Sequence, residues 1–82
     1  MTTLQVHPQK ITKSYVNKLS TPETGQAFIR DTELKGFAVR VTSSGAKSFL
    51  LEKRIDGKVK RLILGRYPEL TVEQARKEAH KL

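Results

Sequence analysis

The stretch KSFLLEKRIDGKVKRLIL, Lys47 to Leu64, decides the fold. Its two halves meet at Asp56-Gly57, a dipeptide suited to a two-residue type I′ loop because both central positions of that loop need positive φ. Such a loop fixes the register. Ile55 faces Lys58, and counting back pairs Arg54 with Val59, Lys53 with Lys60, Glu52 with Arg61, Leu51 with Leu62, Leu50 with Ile63 and Phe49 with Leu64. One face then carries Phe49, Leu51, Leu62 and Leu64, while the other carries Glu52, Arg54 and Arg61 around Leu50 and Ile63.

Working outward, FAVRVT (Phe37 to Thr42) alternates as well and is joined to the hairpin through Ser43-Ser44-Gly45. Three loop residues, with glycine in the left-handed position, pair Val39 with Phe49 and Phe37 with Leu51, so the apolar faces coincide. A four-residue loop would set Arg40 beside Phe49 and invert the face. Upstream, Ala27 to Asp31 reads as an added edge strand. Ile11 to Leu19 reads as a short helix capped by Thr12, with Ile11, Tyr15, Val16 and Leu19 on one side. Residues 1–10 read as an irregular arm, and residues 11–82 as one domain.

After Gly65-Arg66-Tyr67-Pro68 ends the last strand, Thr71 and Gln74 form a capping box, with Leu70 placed as a staple on Ala75. Val72, Ala75, Ala79 and Leu82 make a narrow apolar stripe that fits against Phe49, Leu51, Leu62 and Leu64. The predicted class is therefore α+β: a small three- to four-stranded antiparallel sheet packed against a C-terminal helix, with a short N-terminal helix. Because Leu82 is still in register, the chain reads as the front of a longer protein.

Sixteen Lys and Arg against eight Asp and Glu give a formal charge of +8. From Arg40 to Arg66 there are eight basic and two acidic residues, a net +6, so three quarters of the excess sits on the hairpin region. A field concentrated in this way favours a polyanion through counterion release and steering. The face opposite the C-terminal helix presents Arg40, Thr42, Ser48, Glu52, Arg54 and Arg61. Arg54 and Arg61 are the candidates for base contact; Lys47, Lys58, Lys60 and Arg66 are placed for the phosphate backbone. Glu52 can pair with Arg61 across the strands. The apolar centre of this face, Ala38, Leu50 and Ile63, either touches groups such as thymine methyls or is covered by the N-terminal helix. It also leaves a second reading open, in which Leu50 and Ile63 dock another protein.

Enzyme signatures are missing. His7 and His80 have no ligand-spaced companions, the glycines fit no phosphate loop, and the chain contains no cysteine. No catalytic residue, metal or cofactor is expected. No apolar run approaches the roughly 20 residues of a membrane helix, and no signal-peptide core opens the chain, so a cytoplasmic protein that makes no membrane contact is expected.

Taken together, Asp31 to Ala79 resembles the N-terminal arm-site-binding domain of prophage integrases in the tyrosine-recombinase superfamily. The carrying residues are Ser44-Gly45-Ala46-Lys47-Ser48, the strands about Asp56-Gly57, and Leu64-Gly65-Arg66-Tyr67-Pro68 followed by Thr71 and Ala75-Arg76; the ITKSYVNKL helix also suits the family. Leu50 and Glu52 depart from its pattern, which often has basic residues there. The resemblance implies a sheet that inserts its open face into double-stranded DNA at accessory arm-type sites. It also implies nucleoid association when bound, and partnership with the remaining integrase domains or other protomers. The tyrosine nucleophile would belong to a separate catalytic domain, so Tyr15 and Tyr67 take no such role.

Overall fold

The computed structural model describes residues 3–5 and 7–82, with side chains from His7 onward. Five strands form one sheet in sequence order: β1 (Thr3–Gln5), β2 (Gln26–Arg30), β3 (Phe37–Thr42), β4 (Lys47–Ile55) and β5 (Lys58–Tyr67). β2 to β5 are antiparallel, and β1 runs parallel to β2. Two helices complete the fold, α1 (Lys13–Lys18) and α2 (Val72–Lys81). The α+β class, the strand pairs and both helices agree with the sequence reading. Residues 3–5, read there as part of an irregular arm, add a short fifth strand outside β2.

Turn chemistry accounts for the register. Asp56 (φ 52) and Gly57 (φ 78) both lie in the left-handed region, and the pairs from Ile55–Lys58 back to Leu50–Ile63 are those the two-residue loop requires. The three-residue loop also holds: Thr42 N–H donates to Ala46 O (2.9 Å), and Val39 pairs with Phe49.

The expected Phe49–Leu64 pair does not form. A bulge at Phe49/Leu50 sets Phe49 opposite Gly65, and β5 continues to Tyr67. The extra residue keeps Leu64 packed on the core, while Gly65 makes room for Leu70, whose Cδ2 lies 2.9 Å from where a Cβ on residue 65 would sit. A two-to-one pairing of this kind bends the strand and increases its twist.

The main core lies on one side of the sheet. Ile29, Phe37, Val39, Val41, Phe49 and Leu51 meet Ile11, Val16, Val72, Ala75 and Ala79 there. Phe37 and Phe49 stack at 5.9 Å between ring centroids, and Tyr67 meets Phe49 edge-on at 6.1 Å. Each fully buried ring contributes on the order of 2–3 kcal/mol through lost apolar exposure. The small side chains of Ala75 and Ala79 bring α2 close to the strands. Two expected core members differ: Leu62 is only half-buried, and Leu82 is exposed because it lies beyond the last turn packed on the sheet.

Asp31 locks the periphery to this core. Its buried carboxylate accepts two hydrogen bonds from Arg76 on α2 (2.8 and 3.1 Å), one from Ile11 N–H (2.8 Å) and two from the amides of Glu33 and Leu34 (3.1 and 2.6 Å). Arg76 also donates to Ile11 O (2.7 Å) and lies over the Phe37 ring. Burial raises the Asp31 pKa, but the Arg76 and amide hydrogen bonds together outweigh it and hold the carboxyl at about 2. Among the described residues, no helix is long and apolar enough to cross a membrane.

Candidate nucleic-acid interface

Strand alternation sorts the basic residues by type. Directly paired positions share a face, so Arg30, Arg40, Arg54, Arg61 and Arg66 all project from the side opposite the core. The chain has six arginines, and the sixth, Arg76, is the one held by Asp31. The four strand lysines, Lys47, Lys53, Lys58 and Lys60, fall on the helix-bearing side. Lys47 Nζ donates to Val16 O of α1 (2.7 Å), and Lys53 Nζ donates to Leu82 O beyond the end of α2 (2.5 Å). The second contact gives Lys53, which the register sets opposite Lys60, an acceptor at the C-terminus.

Both helices lie behind the sheet. α1 contributes Val16 to the main core, and Asn17 accepts a hydrogen bond from the Tyr67 hydroxyl, so the N-terminal helix does not cover Leu50 or Ile63. Leu50 and Ala38 are nevertheless sealed. Phe28 of β2 packs with them in a separate small cluster on the open side. Ile63 (64% exposed) and Val59 (57% exposed) remain as the apolar groups in solvent on that face.

Charged groups roof this cluster. Glu52 bridges two arginines: Arg30 Nη2 approaches Oε1 at 3.1 Å and Arg61 Nε approaches Oε2 at 3.1 Å. Both guanidinium groups lie over the Phe28 ring, at 5.0 and 4.9 Å from its centroid. The Glu52–Arg61 pair follows from the hairpin register. Arg30 and Phe28 were missed because the facing of β2 is fixed by long-range pairing to β3 rather than by a tight turn.

The other sequence candidates separate by access. Arg54, Arg61 and Arg66 are exposed; Arg40 is half-buried, with its Nε buried and lacking a hydrogen-bond partner among the described residues. Thr42 Oγ1 is engaged with Ser44 Oγ at 2.8 Å. Ser48 is buried under the arginine layer. Lys58 and Lys60 are exposed on the two-stranded tip of the hairpin, which runs past the start of β3. In the angle between that tip and β2, a cleft of about 650 Å³ is lined by Arg30, Lys35, Gly36, Glu52, Lys53, Arg54 and Val59.

The model of the family described as "Arm DNA-binding domain" matches residues 10–82. This chain belongs to that family. The arm DNA-binding domain match takes in both helices and β2 to β5, hence every arginine on the open face. A curated relative, "Prophage integrase IntF" of Escherichia coli (strain K12), is 33% identical over 75 residues, which is 90% of this chain. The aligned arm DNA-binding domain spans only 16% of that protein's length.

Proposed function

We propose that this arm DNA-binding domain binds double-stranded DNA at accessory arm-type sites by setting the open face of its sheet into the major groove. Binding there supports site-specific integration or excision of a prophage or genomic island. The observation that carries this reading is the segregation of five arginines onto the one face that no helix covers. A sheet can enter a major groove, and planar guanidinium forks suit base edges and phosphates better than ammonium groups do. Arg40, Arg54, Arg61 and Arg66 form the central contact set, joined by Arg30. Thr42 and Ser48 lie within the same surface, and Lys58 and Lys60 reach phosphates round the hairpin tip. Lys47, committed to α1, requires release from Val16 O before it can contribute.

The domain itself is a binding module. In the full-length protein, a separate tyrosine-recombinase domain would perform strand transfer, with this module positioning it on DNA together with the other integrase domains or protomers. The location implied is the bacterial cytoplasm, at the nucleoid when bound. Docking of a protein on the apolar centre is a weaker reading, because Leu50 is sealed and Ile63 stands largely alone there.

A salt titration of duplex binding by the 82-residue chain, with amide shift mapping, tests the reading. Four to six phosphate contacts give a log–log slope of roughly −3.6 to −5.4. The shifts should follow Arg30, Arg40, Arg54, Arg61 and Arg66. A slope near zero, or shifts confined to the two helices, overturns it.

A further inference from the structure

Glu52 places a negative charge in the middle of a surface otherwise built from arginines, and its side chain is only 15% exposed. A residue that merely balanced charge would need neither that burial nor two partners. Arg30 donates Nε to Oε1 at 3.2 Å and brings Nη2 within 3.1 Å of the same oxygen, so one edge of its fork faces the carboxylate. Arg61 gives only Nε, to Oε2 at 3.1 Å. Its terminal Nη1 and Nη2 carry no hydrogen bond among the described residues, and its Cζ lies over the Phe28 ring at 4.9 Å from the centroid. Ala38 lies between the strands bearing Arg30 and Glu52, and its small side chain lets them meet above it.

We propose that Glu52 is a positioning residue that presents the Nη1/Nη2 end of Arg61 to a guanine edge, with Arg30 and Phe28 as the buttress. This rests on the duplex-binding reading above. The chemistry is the two-donor match of a guanidinium to guanine O6 and N7. An arginine free to rotate would spread its contacts over phosphates and bases alike; one held at Nε and lying over a ring loses less conformational freedom on reading a base. Glu52 thus trades general attraction to DNA for discrimination.

The test begins by enriching duplexes from a random library with the wild-type chain, then compares Kd for an enriched and a scrambled duplex. Glu52→Gln removes the charge. Glu52→Asp keeps the charge but is one methylene short of bridging both arginines, and Arg61→Lys keeps the charge but lacks the planar fork. The wild type should enrich at least one invariant guanine. E52Q should bind scrambled DNA about 3-fold tighter, with a salt slope steeper by about one unit. E52D and R61K should each lower the preference for the guanine about 10-fold, read as the ratio of Kd for the scrambled duplex to Kd for the enriched one. Thermal melting of each variant confirms folding, and E52D is conservative enough to serve if E52Q does not fold. An E52D chain with full guanine preference overturns the proposal, as does a wild type that enriches no guanine. Either result leaves duplex binding standing if the salt slope remains steep.

Discussion

Arg40 sits at the middle of the open face with a buried Nε that no described group satisfies. An unpaired buried donor costs on the order of 1–3 kcal/mol. Arg40→Met, which keeps the packing of the stem, should therefore stabilise the free domain by about 1 kcal/mol in urea denaturation while weakening duplex binding about 10-fold. A variant that loses both stability and affinity would mean that the guanidinium holds the fold. Strand alternation also separates neighbours in sequence. Arg54→Ala should reduce discrimination between an enriched and a random duplex, whereas Lys58→Ala should weaken both alike, in parallel titrations. Much of this was legible beforehand, since one tight turn fixes the faces of Arg54, Arg61 and Glu52. Phe28 and Arg30 were not, because the 31–36 connection offers no comparable count.

β5 shows how an element can agree with its sequence pattern and still depart from it. Alternation from Lys58 to Ile63 sets the strand, but nothing in that alternation reveals that Leu64 and Gly65 share one partner. The deciding contact is Leu70 over Gly65, a feature of the turn leading to α2. Gly65→Ala forces Leu70 aside and should cost about 1–2 kcal/mol, read as a lower urea midpoint at unchanged m value. For α2 the sequence was sufficient. Thr71 accepts from Gln74 N–H (3.1 Å), and the Gln74 side chain accepts from Thr71 N–H (3.0 Å), as the spacing predicts. Thr71→Ala should cost about 1 kcal/mol by the same measurement. The open edge of β5 is guarded in turn by Lys58, Lys60 and Arg61, charges that discourage pairing with another strand.

The whole molecule is tied together by a pair 45 residues apart, Asp31 and Arg76. No local pattern announces it; the Asp31 to Gly36 turn and the polar side of α2 each read as ordinary. Its consequence is a defined acid sensitivity. Because the Asp31 carboxyl is held at about 2, below its ordinary value of 3.8, its stabilising contribution is complete above about pH 4. That contribution, on the order of 2 kcal/mol, is lost as pH falls towards 2. Urea denaturation across that range should show the loss in the wild type and a flatter profile in Asp31→Asn. Arg76→Ala strands a buried carboxylate and should cost about 3 kcal/mol at neutral pH.

Both helices and the main core lie on one side of the strands, and a small sealed cluster of Phe28, Ala38 and Leu50 lies on the other. The exposed positions 54 and 66 can be rewritten with little repacking beneath them, which makes the domain a frame on which recognition of a new target could be reprogrammed while the architecture is inherited unchanged.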